Sequence, residues 1–209
     1  MAMDMATTPK SLRPDSPRPV KVDGRRERSA ASRRQILTAM IDLVESGQPS
    51  PTAETVAARA GVSLRTVFRH FEEMEKLHLE IAAVVFERVR PILDRPFATR
   101  EWPDSLAESI QRRSEFFEIM APFKTAIDVH RHRSRAIAAQ HRRLTVMSRD
   151  LLAASVPSPL LADREKFELL SLLMSLEAWQ RLREQQGLSV EESRQAILRA
   201  AKALIDCEA

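Results

Sequence analysis

The chain has 209 residues, enough to bury a sizeable core in one or two domains without staples. Ala, Leu, Arg and Glu supply 95 of them and Gly only 4, which argues against a glycine-rich phosphate loop, a sheet with many tight turns or a TIM barrel, and for an all-α fold. A single cysteine, Cys207, excludes an internal disulfide and a cysteine-based zinc site, while the net charge of +4 permits an anionic partner without demanding one.

Residues 1–30 carry seven Lys/Arg against four Asp/Glu, with Arg25, Arg26 and Arg28 at the end of the stretch and Arg33 and Arg34 just beyond it. Pro9, Pro14, Pro17 and Pro19 among Ser, Thr and Arg predict a disordered basic tail over 1–28. That stretch has no apolar h-region, so it does not read as a signal peptide, and no apolar run reaches the ~20 residues of a membrane span. A cytoplasmic protein is expected. The first helix is predicted over Ala31–Ser46, with Ile36, Met40, Leu43 and Val44 as its buried stripe and Gly47 closing it before Pro49 and Pro51. Thr52 caps a short helix over Ala53–Arg59, Gly61 breaks it, and Ser63 caps a second over Leu64–His70. A long helix follows over Glu72–Leu93 with Leu77, Ile81, Val84 or Val85, and Val89 inward, frayed by Pro91 and ended by Pro96. Further helices are expected over 103–119, 122–132, 134–155 and 159–186. The last, over 189–206, opens on a capping box of Ser189 and Glu192. The architecture is about nine helices: a three-helix unit over 29–76 and a larger bundle over 77–209.

The segment Thr52 to Phe71 is the most informative. Two short helices joined by so tight a turn must approach closely. Ala57 is small where the second helix crosses, and Gly61 takes a turn conformation that a Cβ would oppose. Val56, Val62 and Val67 fill the wedge, and Phe71 locks the second helix to the core. The spacing is that of a helix-turn-helix, whose second helix lies in the DNA major groove; an ordinary αα-corner is the plainer alternative.

Ala60-Gly-Val-Ser63, followed by Thr66-Val-Phe-Arg-His-Phe71, resembles the signature of the tetracycline-repressor (TetR) family of one-component regulators. The resemblance is specific over 31–80, including Leu77, weaker over Ser175–Arg183 and Gly187–Ser189, and elsewhere lies mainly in helix count and length. It implies a homodimer on a palindromic operator of double-stranded DNA, and a C-terminal domain that binds a small effector and releases DNA. It further implies that Thr52 is a phosphate-binding cap and that Ser63, Leu64, Arg65 and Thr66 face base edges or nearby phosphates. Arg69 and His70 would meet backbone phosphate. Phe68 stands where the family usually has tyrosine, Met74 where lysine is common, with Lys76 two residues on, and Arg65 where glycine is frequent. Arg65 is the expected base reader, because a guanidinium can bond both O6 and N7 of a guanine. Arg33 and Arg34 complete the expected DNA contacts.

An effector cavity is expected beside the C-terminal half of the Glu72–Leu93 helix. Its predicted walls are Phe86, Val89, Leu93, Trp102, Ile110, Phe117, Met120, Phe123, Ile127, Met147 and Trp179, with Arg113 and His130 as polar anchors. Such walls favour a mostly apolar or aromatic ligand with one or two polar groups. Packing in an ordinary core is the plainer reading of any one of these aromatics. Asp128, His130, His132 and His141 invite a metal, but Arg131, Arg133 and Arg135 would repel a cation, so a solvated basic face is expected and no metal. The wider run Arg112–Arg149, rich in Lys and Arg, reads the same way. Phe167, Leu170 and Met174, widened by Leu169, Leu172, Leu173 and Leu176, give the 159–186 helix more apolar surface than one neighbour can cover. With Ala196, Ile197, Ala200, Ala201, Ala203 and Leu204 of the final helix, this predicts a four-helix dimer interface built from the last two helices. No nucleophile motif, phosphate loop or cofactor fingerprint is found, so neither catalysis nor a cofactor is expected. The reading is a DNA-binding regulator released by a ligand. An effector-free regulator or an activator of the same fold is the first alternative, and a helical-bundle enzyme or interaction module the remote one.

Overall fold

The computed structural model describes residues 24–99, 101–102 and 104–206, and over these the chain forms ten α-helices and one π-helical segment without any strand. The all-α expectation holds. The first helix, α1, runs over Gly24–Glu45, so it begins seven residues before the expected Ala31. The tail expected over 1–28 lies, up to residue 23, outside the described residues, and its last five, from Gly24 to Arg28, are helical. Ile36, Met40, Leu43 and Val44 are buried, joined by Ala39 and Ile41. Gly47 closes the helix at φ +89, with the Gln48 amide donating to Leu43 O (3.0 Å).

The short helices α2 (Ala53–Ala60) and α3 (Leu64–His70) lie where the caps place them, and α4 spans Met74–Leu93. Leu77, Ile81, Val85 and Val89 make the inward stripe of α4. One apolar cluster runs from α1 through α2, α3 and α4 into the middle of the next helix, α5 (Asp104–His130), where Met120, Phe123 and Ala126 join it. The α1–α3 unit is therefore packed onto α4 and α5, with no seam of its own.

The expected break before Pro122 is absent, for α5 passes through it without interruption. Proline forfeits the bond to Glu118 O at a cost of roughly 3 kcal/mol. Burial of Phe117, Met120 and Phe123 on either side offsets it, at about 1.5–3 kcal/mol for each large side chain. After α6 (Arg135–Ala153) the single helix expected over 159–186 is instead four pieces. These are α7 (Ser158–Ala162), α8 (Arg164–Leu173), α9 (Leu176–Gln180) and a π segment (Arg181–Gln185). Two of these starts have a side-chain cap: the Asp163 carboxylate accepts from the Lys166 amide (3.0 Å) and Ser175 Oγ from the Ala178 amide (3.1 Å).

The final helix, α10 (Val190–Asp206), opens on the expected capping box, the Ser189 amide donating to Glu192 Oε2 (2.7 Å) and the Glu192 amide to Ser189 Oγ (3.2 Å). Ile197 and Ala201 are buried in a second apolar cluster with Leu106, Phe117, Leu170, Met174 and Trp179. Of the α10 residues expected at a dimer interface, Ile197 and Ala201 are thus covered by their own chain, while Ala196, Ala200 and Leu204 are half-buried and Ala203 is exposed. Beyond α3, large apolar residues turn outward on α5 at Ile119 and Val129, and on α6, α7 and α8 at Val146, Leu151, Leu161, Leu169 and Leu172. No helix of the described residues is long and apolar enough to cross a membrane.

Candidate nucleic-acid interface and cavity

The α2–α3 pair is built by its caps. Thr52 Oγ1 accepts from the Thr55 amide (3.3 Å) to open α2, and Ser63 Oγ accepts from the Thr66 amide (3.2 Å) to open α3. Between them Gly61 sits at φ +66, its amide donating to Ala58 O (3.3 Å) while the Val62 amide reaches Ala57 O (3.1 Å). This paired closure is a Schellman motif, and it reverses the chain in the fewest residues that a left-handed position allows. Val56 and Val67 are fully buried, Ala57 and Phe71 nearly so, and Val62 half-buried, so the wedge is filled as expected.

With Val67 turned inward, α3 turns Leu64, Arg65, Phe68 and Arg69 outward. Phe68 is 45% exposed and Leu64 37%, so the outer face of α3 carries two apolar side chains beside its arginines. Arg65 and Arg69 have no ion pair among the described residues. Thr52 and Ser63 are exposed on the same two helix starts, and Thr66 is half-buried. Arg34 is exposed on α1, beside Arg59 in a shallow groove at the end of α2.

Three of the expected DNA contacts are engaged or partly buried within the chain. Arg33 is turned into the protein: it pairs with Glu80 of α4, donates from Nη1 to His70 O (3.1 Å) and stacks over the Phe71 ring (4.5 Å). It ties α1, α3 and α4 together, which removes it from the reading face. His70 buries Nε2, and burial, followed by the Arg69 and Arg33 charges, lowers its pKa, so at neutral pH it brings no cation to a phosphate. Lys76 is exposed but paired with Glu72 four residues earlier.

A cavity of about 320 Å³ opens between α5, α6 and the start of α9. Leu93, Arg113, Phe117, Met120, Ile127 and Met147 of the expected walls line it. The others lie elsewhere. Val89 and Phe123 belong to the first apolar cluster, with Phe86 packed against it, while Ile110 and Trp179 belong to the second, with Trp102 packed against that. Trp179 donates from Nε1 to Glu118 (2.8 Å), and His130 stacks on His78 with ring centroids 4.4 Å apart. Sequence reasoning missed Arg112, Lys124, His141, Leu144, Ser148 and Ser175. For Lys124 the signal was present: Ser109, Arg113, Phe116, Met120, Lys124 and Ile127 recur at three or four residues along one helix. It was hidden by reading Pro122 as a helix end.

The basic stretch around these residues is not all solvated, as expected from charge alone. Arg112 and Lys124 are buried, the former stacked on Phe97 (3.9 Å). Asp128 pairs with Lys124 (2.5 Å) and Arg131 (3.1 Å) rather than facing His132, and no group of three His, Cys, Asp or Glu suited to a metal occurs among the described residues.

No family model matches the sequence, and no curated protein is significantly similar to it. Solved structures do match. A transcriptional regulator from Rhodococcus sp. Rha1 superposes with a TM-score of 0.62 at 17% identity, over 83% of this chain and 96% of its own. SCO7518 of Streptomyces coelicolor A3(2), described as a candidate transcriptional regulator, gives 0.57 at 22% identity, over 81% and 98%. The multidrug binding protein EbrR, solved with imidazole, gives 0.57 at 23% identity, over 93% and 99%. At these identities the likeness concerns the fold, which the chain shares with these proteins over almost the whole of their length.

Proposed function

We propose that the chain is a sequence-specific DNA-binding transcriptional regulator, a repressor that binds a palindromic operator as a homodimer and leaves it when a small molecule occupies the cavity. One observation carries the reading. The helix α3 is capped, anchored by Val67 and Phe71, and shows an outer face of Leu64, Arg65, Phe68 and Arg69 that nothing in the described chain covers. Residues 29–76 would form the reading unit and 77–209 the regulatory and dimerisation part. Within the set of DNA contacts, Arg65 reads a base, while Thr52, Ser63, Thr66, Arg69 and Arg34 hold phosphates. The dimer would form through the outward apolar residues of α6 and α8, where Val146, Leu169 and Leu172 are each more than half exposed.

Regulation is favoured over catalysis by what the cavity's polar groups do. Ser148 Oγ accepts from Arg113 and His141 meets Arg131, so neither completes a nucleophile–base pair. The test is selection from a random pool of duplexes by the full chain, followed by affinity measurements on the enriched site. A two-fold symmetric site with half-sites about one helical turn apart, ~34–36 Å, is expected. No enrichment over random sequence would overturn the DNA-binding reading.

A further inference from the structure

Arg113 is a half-buried cation with no carboxylate partner among the described residues. It lines the cavity from the middle of α5, and burial pulls its pKa down to about 10. Its hydrogen bonds among the described residues all go to neutral oxygens: Nη1 donates to Ser148 Oγ (2.9 Å) and Met174 O (3.2 Å), and Nη2 to Ser148 O (3.1 Å). Both Nη groups meet one residue, so Ser148 takes the end-on edge of the guanidinium. The other edge, Nε–H with the second Nη2–H, has no partner among the described residues.

The neighbouring cations are unlike it. Arg112 holds Glu108 (2.9 Å), Lys124 holds Asp128 (2.5 Å) and Glu177 (3.3 Å), and Arg149 holds Glu168 (2.7 Å). The acids on the cavity wall, Glu168 and Glu177, are thus already engaged. His141 adds no charge at neutral pH, since burial and the Lys124 and Arg131 charges lower its pKa. A half-buried cation without a counterion is costly, and an anion brought from outside relieves that cost.

We propose that the cavity takes a monoanionic amphiphile, a carboxylate on an apolar or aromatic body, and that Arg113 binds the carboxylate through its Nε/Nη2 edge. The proposal rests on reading this cavity as the effector site. A carboxylate matches that edge in bidentate fashion and displaces no ion pair that the fold already uses. Its body would lie against Phe116, Phe117, Met120, Leu144 and Met147, in a space of about 320 Å³ that suits a fused aromatic ring pair or a medium-length acyl chain. The same guanidinium bridges α5 to Ser148 of α6 and to the end of α8, so its occupation is felt by the helices that wall the site.

The full chain is titrated with matched probes: octanoate against octanamide, and naphthoate against naphthamide. The acids should bind at least about tenfold more tightly than their amides. Arg113→Gln should abolish that ratio, and Arg113→Lys should keep part of it. A purely structural clamp would lower the thermal stability of both variants and leave the ratio unchanged. Should Arg113→Gln not fold, the ratio in the native chain and in Arg113→Lys still decides. Amides binding as well as acids, or no acid bound at millimolar concentration, would overturn the proposal. An acid that binds through Arg113 but leaves operator affinity unchanged would keep the carboxylate site and overturn the ligand-released reading instead.

Discussion

Arg65 is the residue on which the proposed reading rests most heavily, because it stands on the outer face of α3 with no carboxylate partner among the described residues. Arg65→Ala should cost about 1–3 kcal/mol on the selected operator and relax preference at one base position. Arg34→Ala should weaken binding to all sequences alike and reduce the salt dependence, since it would touch phosphate only. Equal losses on operator and random duplex for Arg65→Ala would remove it as a reader. His78 makes a different kind of statement. Burial first, and the neighbouring His130 second, push its pKa from the ordinary 6.5 down to about 4. In that window the unfolded chain takes up a proton that the folded chain refuses, so its contribution is complete above pH 6.5 and is lost as pH falls toward 4. The loss at the acid end amounts to about 3 kcal/mol. His78→Gln should flatten the stability profile there, and denaturant midpoints of both proteins at several pH values would show it. Identical slopes would mean that the pair does not control acid stability. Arg33 marks the limit of residue-level reading. A basic side chain on a helix near the reading head looks like a phosphate contact until its partner Glu80, 47 residues away in sequence, is seen beside it.

At the scale of elements, caps were the legible signal. Thr52, Ser63, Ser189 and Glu192 announce their helices by local chemistry that needs no distant partner, and each does in the fold what its type suggests. Proline was the misleading one. Pro122 lies in a stretch whose flanks are held by burial, and tertiary packing overrides a local preference that a window of sequence cannot weigh against it. The opposite error occurred over 159–186, where continuous apolar periodicity concealed the caps Asp163 and Ser175. The turn at Gly61 allows a sharper test. A Cβ there would meet nothing within 4 Å, so the objection to a side chain is the backbone conformation alone. Gly61→Ala should then cost about 1–2 kcal/mol, the left-handed penalty without a clash, and Gly61→Asn distinctly less. A loss several times larger by chemical denaturation would show that the turn is crowded in a way this geometry excludes.

For the whole molecule, the sequence foretold an all-α chain, and the fold shared with three solved structures over nearly their full length agrees. Which helix faces stay open was not legible, because α8 and α10 are both amphipathic and only the fold decides which stripe is already covered. Leu172 is 61% exposed and Leu169 51%, so Leu169→Glu with Leu172→Glu should leave folding intact and separate the proposed dimer into monomers. Light scattering would detect this, and operator affinity should fall by about a hundredfold or more as the tethering of two half-site contacts is lost. A variant that stays dimeric would move the interface away from α8.

The clasp of Arg33 on Glu80, His70 O and Phe71 bears on how ionic strength acts on the molecule. The pair is partly open to solvent, its side chains 41% and 31% exposed, so added salt weakens it as well as the phosphate contacts proposed for α1–α3. A titration of operator affinity against salt then records two processes under one slope: the ions shed from DNA and the loosening of the clasp that holds α3 against α4. The number of phosphates inferred from the steepness of that line would exceed the number of side chains that touch them.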